Sequence, residues 1–380
     1  MAKKIFLVIG ALLILIFIVT FIAWWQGKKK AVPAVAEVIK IGMIGPLTGG
    51  AAKYGIEARN GAQLAISQLN ERQSFYRYES VSVDNQADPD LAEKGARDLV
   101  ADEGVLAVVG DITSSCTLSS GVVFQKAGLP AVSPSATSPK VSEIGPFQFR
   151  VCPSDTYQGK ALAEFVVGDL GLYRIAIFWD EKNVDYSGQL ADAFSERAEQ
   201  LGGVITERLF YRAGQKEFTP FLERLLATNP EVLFIPGYYT EAALIAHQAR
   251  AMDWEIPIVG GDGFHALNLI EIGGKAVEGV KFTSFFSADD PRVQEFVLAY
   301  QARYGEVPGW IAAHSYDAMN IITEAIKMEG ASREGIQRGL SKIEGFKGVT
   351  GLISFDEKGD VIKDILKLEV KEGKFRVWAP

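Results

Sequence analysis

The feature that most constrains this chain is a repeated succession of short apolar runs and segments whose apolar residues recur every three or four positions. "VLAVVG" leads into "TLSSGVVFQKAG" and then "LPAVS". "YRIAIFWD" leads into a stretch with Leu190, Phe194, Ala198 and Leu201 at helical spacing. Apolar runs of this length suit strands buried on both faces, and helices between them imply parallel sheets with helical cover on each side. The rhythm runs from "VIKIGMIG" to "LPAVS", breaks near "FRVCPSD", and restarts through "VITERLFY", "EVLFIPG" and "IPIVGGDG". Two such sets predict an α/β chain of two doubly wound parallel-sheet lobes. A length of 380 residues agrees, since one hydrophobic core rarely serves so long a chain. The last part holds two more helical patterns and a closing hairpin, "DILKLEVKEGKFRVW". It is too short for a third lobe and is expected to return and complete both.

Residues 1–30 are different in kind. "MAKK" precedes 21 residues without a charge, "IFLVIGALLILIFIVTFIAWW", and "GKKK" follows the run. That is long enough to span a bilayer as a helix, with the tryptophan pair at an interface, and it favours an anchor at residues 5–25 over a cleaved signal. "AVA" at 34–36 keeps signal cleavage open. Either reading exports the remainder, to the periplasm or cell surface. The five lysines of residues 1–30 are among 39 basic residues, so the rest carries 34 against 47 acidic ones. A body of net charge −13 is a poor partner for nucleic acid. Cys116 and Cys152 are compatible with one bridge or with two buried thiols.

In open parallel sheets, ligands bind beyond the carboxyl ends of the strands. The loops there are "GPLTGGAAKYG", "DITSSCT" and "SPSATSP" in the first set, and "DEKNVDYSG", "PGYYTEAA" and "GGDGFH" in the second. The first group is rich in hydroxyls at helix starts, where free N–H groups and the helix dipole favour an anion. The second offers tyrosines and one acid, Asp262. A small ligand with a carboxylate at one end and an ammonium at the other fits between them. Taken singly, each Ser or Thr also reads as an ordinary helix cap, Tyr238 and Tyr239 as surface aromatics, and Asp262 as a cap of the next helix. Catalysis has little support. No phosphate-loop, dinucleotide or nucleophile-elbow motif occurs, and His247, His265 and His314 stand at no metal-ligand spacing. No catalytic residue, metal or cofactor is expected, and His265 reads as a polar residue at the pocket rim.

Several motifs in order, "IKIGMIGPLTGGAAKYGIEARNGAQLAI", "VVGDITSSCT", "PAVSPSATSP", "FRVCPSD", "GYYTEAA", "GGDGF" and "GLISFDEKGD", make the chain resemble the branched-chain amino acid binding proteins of ABC importers. The resemblance runs from about Val38 to the end and implies the type I periplasmic binding protein fold, with three hinge segments joining the lobes. It implies a first lobe of 38–153 with 284–347 and a second of 154–283 with 348–380, after a linker at 31–37. It implies that Ser114 and the Ser135, Ala136 and Thr137 loop hold a ligand carboxylate, and that Asp262 and Tyr238 face its amino group. Tyr54, Tyr186 and Trp310 would wall the pocket, and an ABC permease in the membrane would be the partner. Ala87 and Thr113 stand where such proteins often have a cysteine pair, so that disulfide is absent, and Asp262 replaces a longer glutamate. Amides, urea and aromatic acids, or a receptor's sensing role, are the alternative ligands and use.

Overall fold

The computed structural model describes residues 37–72, 75–361 and 363–379. The expected N-terminal helix and the linker at 31–36 lie outside the described residues. No helix among the described residues is long and apolar enough to cross a membrane.

The first sheet has five parallel strands in the order β2-β1-β3-β4-β5. They are β1 (Glu37–Gly45), β2 (Tyr76–Asp84), β3 (Val105–Val109), β4 (Ala131–Ser133) and β5 (Gln148–Arg150). Helices α1 (Ala52–Glu71), α2 (Pro89–Ala101) and α3 (Ser114–Ala127) connect the first four. Local chemistry sets their ends. Asp88 accepts from the N–H groups of Asp90 and Leu91, with Pro89 at the first helical position, so α2 starts there. Gly128 takes the left-handed conformation (φ 63°) and stops α3 by donating back to Phe124 and Gln125. Strand β4 is short because Pro134, which has no N–H to donate, follows Ser133.

After β5 the chain crosses to a second, seven-stranded sheet, order β14-β13-β10-β9-β8-β6-β7. Strands β6 (Arg174–Asp180), β7 (Val204–Tyr211), β8 (Val232–Ile235), β9 (Ile258–Gly260) and β10 (Lys281–Ser284) are parallel; helix α4 (Asp155–Ala163) leads into β6, and α5 (Gln189–Gln200), α6 (Thr219–Leu226), α7 (Tyr239–Ala251) and α8 (Asn268–Gly273) join the five. The hairpin β13 (Leu366–Lys371) and β14 (Lys374–Val377) adds an antiparallel edge beside β10. Between β10 and β13, helices α9 (Gln294–Tyr304), α10 (Trp310–Glu329) and α11 (Arg333–Leu340) lead to a small hairpin, β11 (Phe346–Gly348) and β12 (Gly351–Ile353).

Helices α10 and α11 contribute Met319, Ile322, Ile326 and Ile336 to the core of the first sheet. Ile353 and Val361 lie in that core too, and Asp317 on α10 accepts from the N–H groups of Val349 and Thr350 at 2.8 Å. Residues 348–361 therefore sit with the first lobe, whereas the sequence suggested a return to the second lobe at 348. Apolar anchors at Ile353 and Val361 hold the segment, and the second sheet is rejoined at Leu366. Cys116 and Cys152 are both free and buried.

Helices α1 and α10 cross closely because Gly61 has no side chain: a Cβ built there would stand 2.0 Å from the Ala312 carbonyl oxygen. That crossing brings Tyr54, near the start of α1, and Trp310, the first residue of α10, to the lining of one pocket. Gly61→Ala is expected to push the helices apart and destabilise the fold by about 1–3 kcal/mol, the usual range for overpacking. A urea melt of the variant checks it, and unchanged stability would mean that the crossing relaxes freely.

Candidate functional site

The lobes face each other through the loops that follow β1, β3 and β4 on one side and β6, β8 and β9 on the other. On the first lobe, α3 begins at Ser114 with Thr113 in the cap position, and Thr113 makes no capping hydrogen bond. Its buried hydroxyl has no partner at all, so it is not acting as an ordinary helix cap. Ser114 Oγ accepts from the Ser138 N–H at 3.2 Å, which joins the α3 start to the "SPSATSP" loop. In that loop the Ser135 hydroxyl donates to the Ile112 carbonyl (2.7 Å), and Ser133 Oγ accepts from the Ala136 N–H (3.0 Å). Arg150 fastens the loop from below, donating to the carbonyls of Ser138 (2.8 Å) and Ala136 (3.3 Å).

On the second lobe, Asp262 follows β9 and is 3% exposed. Its carboxylate accepts from Gln158 Nε2 at 2.8 Å and from the Tyr186 hydroxyl at 3.2 Å. Its own N–H and that of Gly263 add to these donors, and the cap position of the short helical turn 262–264 belongs to Gly261, which sets aside the reading of Asp262 as a cap of that turn. Burial raises its pKa to about 6, and the hydrogen bonds from Gln158 and Tyr186 hold it from going higher. Tyr238 stacks on Tyr186 with ring centroids 5.1 Å apart and meets Tyr54 edge-on at 5.5 Å. It is a pocket aromatic and not a surface one.

These groups converge. One small pocket is lined by Tyr54, Ser114, Ser135 and Thr137 with Trp310 from the first lobe, and by Tyr186, Tyr238 and Asp262 from the second. Thr113, Ile112, Ile311 and Gly263 complete it. Ala136 is the one named residue that is not in the lining; its N–H and carbonyl are used within the loop. His265 is buried, pairs through Nδ1 with Ser284 Oγ at 2.5 Å, and also lies away from this pocket.

The lobes touch directly around the pocket. The Tyr54 hydroxyl donates to the Gly263 carbonyl, and the Tyr239 hydroxyl donates to the Gly50 carbonyl at 3.1 Å. Lys140 and Asp185 pair across the cleft at 2.8 Å. The remaining space is about 20 Å³, room for one water molecule. An organic ligand enters only when the lobes part.

Two residues were missed from sequence. Asp155, the first residue of α4, is fully buried, and neither carboxylate oxygen has a hydrogen-bond partner. Burial first and the Asp262 charge second push its pKa well above the usual carboxylate range. Gln158, one turn on, donates to Asp262 and accepts from the Asp262 N–H and the Thr283 hydroxyl. Asp155 is the last residue of "FRVCPSD" and Gln158 lies three residues beyond it, so that motif is the one available signal.

Two doubly wound lobes that meet over a pocket of opposed polar groups define a protein that encloses a small molecule between its halves. The chain belongs to the periplasmic binding protein family, whose model matches residues 38–374. A solved leucine binding protein from Thermotoga maritima is 35% identical and superposes with a TM-score of 0.85, covering 90% of this chain and 98% of that one. The branched-chain amino acid substrate-binding protein of Streptococcus pneumoniae, solved with isoleucine, is 31% identical with a TM-score of 0.85, covering 90% of this chain and 100% of that one. The leucine-, isoleucine-, valine-, threonine- and alanine-binding protein of Pseudomonas aeruginosa is 29% identical over 86% of this chain and 88% of its own length.

The Asp262 pKa carries a stability consequence. A folded-state value raised from 3.8 to about 6 means that stability falls as pH rises through that window, by about 3 kcal/mol in all. Asp262→Asn removes the ionisation and keeps an acceptor for Gln158. It is expected to be more stable than the parent by up to about 3 kcal/mol at pH 8 and equal to it at pH 3.5. Urea melts at the two pH values check the difference.

Proposed function

We propose that this protein is the extracytoplasmic substrate-binding component of an ABC importer, and that it captures a small amino acid, branched-chain or otherwise apolar, between its lobes. The observation that carries the reading is the opposition of Thr113, Ser114 and the Ser135–Thr137 loop to a buried carboxylate at Asp262. A zwitterion supplies the missing partner to each side.

In this reading the free N–H groups at the start of α3 and the Ser114 and Thr137 side chains receive the ligand carboxylate, with the Ser135 and Ala136 backbone shaping the seat. Asp262 receives the ammonium, assisted by Tyr238. Tyr54, Tyr186 and Trp310 enclose the side chain. The ligand enters with the lobes apart and is covered as they close about the three chain crossings, since neither lobe alone supplies both ends. A membrane permease reads the closed form, and an anchor at residues 5–25 would hold the protein near it. Three relatives support the choice of ligand: those named for binding leucine, isoleucine and other small amino acids, or solved with isoleucine. The chemistry asked of the site is binding and release, with no bond broken.

Calorimetry on protein stripped of ligand by unfolding and refolding tests the reading, with leucine, isoleucine and valine set against their deaminated acids. Saturable binding of an amino acid is expected, with the deaminated partner silent. Asp262→Ala should weaken amino acid binding by about 3 kcal/mol, or a hundredfold, because it strands a desolvated ammonium. Unchanged affinity in that variant would remove Asp262 from the site. Binding of amides, urea or aromatic acids in place of amino acids would change the ligand class and leave the fold untouched.

A further inference from the structure

A second cavity lies between the lobes and shares no lining residue with the polar pocket. Its volume is about 320 Å³, within the range of small-molecule sites, where the polar pocket is closed down to a water's width. One wall comes from the first lobe, with Glu57 on α1 and the Val307–Gly309 turn before α10. The other comes from the second lobe, with His265, Ala266 and Leu267 after the Asp262 turn, and Leu368 and Phe375 on the β13 and β14 hairpin. Ser287 and Ala288, just past β10, close one end.

Most of this lining is apolar, and one polar group in it is out of balance. The Glu57 side chain is 4% exposed, and its Oε2 has no hydrogen-bond partner. The other oxygen lies 3.8 Å from Lys53, whose ammonium pairs more closely with Glu306. A buried carboxyl oxygen without a donor is costly, and a charge-assisted donor is its strongest partner. The other ionisable groups in the lining do not compete for it. His265 stays neutral, because burial pulls its pKa down to about 3, and its Nδ1 is taken by Ser284. Arg376 pairs with Asp289 at 3.0 Å, and Lys374 is exposed at the mouth. The protonation of Glu57 fits the same picture. Burial raises its pKa to about 8, opposed by Lys53 and aided by Glu306, so an arriving cation displaces a proton. An anion finds no donor set here comparable to the α3 start.

We propose that this cavity is a second ligand site, for a primary amine with a short hydrocarbon body, the ammonium on Glu57 Oε2 and the body between Val307, Ala288, Leu368 and Phe375. Each lobe supplies one wall, so an occupant favours the closed arrangement of the two.

The test is calorimetry of the full chain in mild detergent with n-butylamine, and with n-butanol as the uncharged probe of the same shape. Saturable binding of the amine, at least tenfold tighter than the alcohol, is expected. It should weaken tenfold or more in Glu57→Gln and stay unchanged in Asp262→Ala. Ala288→Trp fills the cavity without touching Glu57 and should also abolish it, which guards against a folding defect in the first variant. Equal binding of amine and alcohol, or no saturable amine binding, overturns the proposal. So does binding that survives both Glu57→Gln and Ala288→Trp, and so does loss in Asp262→Ala, which would put the amine in the polar pocket.

Discussion

Two buried carboxyl groups without an ion-pair partner, Asp155 and Asp262, sit where the halves of this molecule meet. Asp155 and Asp262 are 0% and 3% exposed, and each raises the pKa of groups around it. Removing a carboxylate from water costs several kcal/mol unless a positive charge or a full set of donors replaces the solvent. Asp262 has side-chain donors in Gln158 and Tyr186 with backbone N–H groups beside them, whereas Asp155 has no donor in good hydrogen-bond geometry and only partial relief from Thr137 and the Arg150 charge. The structure therefore leaves the interlobe region short of positive charge. In the proposed function, a ligand that brings one ammonium supplies the positive charge that Asp262 lacks.

The nearest arginine does not fill the gap, and the reason is geometric. Arg150 is as deeply buried as the two acids, yet its guanidinium is spent elsewhere: on both oxygens of Asp360, on the Ser142 hydroxyl and on two loop carbonyls. A rigid planar fork used in this way fixes the loop that carries Ser135 and Thr137. It also ties that loop to the segment that leads back into the second sheet. The anion seat is thus built without an arginine in it, and its attraction for a carboxylate rests on N–H groups and hydroxyls. That keeps the seat small and neutral, as suits a ligand whose overall charge is zero.

Much of the architecture was legible because it rests on periodicity. Strands buried on both faces are near-continuous apolar runs, so β1, β3, β6 and β8 stand out, and the loops beyond their carboxyl ends follow from the parallel arrangement. Strands β5 and β10 were not marked: Gln148–Arg150 and Lys281–Ser284 are too polar to look like buried strands, and only pairing with neighbours makes them so. The pocket side chains Ser114, Tyr238 and Asp262 could be read because the loop position says where they are. Asp155 could not. An aspartate in the first turn of a helix, after a serine cap, is ordinary chemistry at an exposed helix start. Only the other lobe, folded over it, turns it into a buried carboxyl group. The 348 boundary failed for a related reason, since whether Ile353 and Val361 pack on one lobe or the other is decided by tertiary contact and leaves no local mark.

The same accounting explains why closure can respond to a ligand. Direct polar links between the lobes include the Tyr54 and Tyr239 hydrogen bonds, the Asp155 N–H to the Thr137 carbonyl, the longer Ser115–Asp185 and Thr240–Gly50 contacts, and the Lys140–Asp185 pair. Hydrogen bonds of this kind contribute about 1 kcal/mol each, and an ion pair with a half-exposed lysine contributes less than that. Against them stands the desolvation of Asp155 and Asp262, which grows as the lobes shut. In the proposed function these contributions oppose one another, and a ligand shifts the balance between open and closed arrangements by its differential affinity for the two. A closed form locked by stronger contacts would gain little from a ligand, and one with charges fully unpaid would never form without it. The part-compensated carboxyl of Asp262, held by Gln158 and Tyr186 near a pKa of 6, sits between these limits.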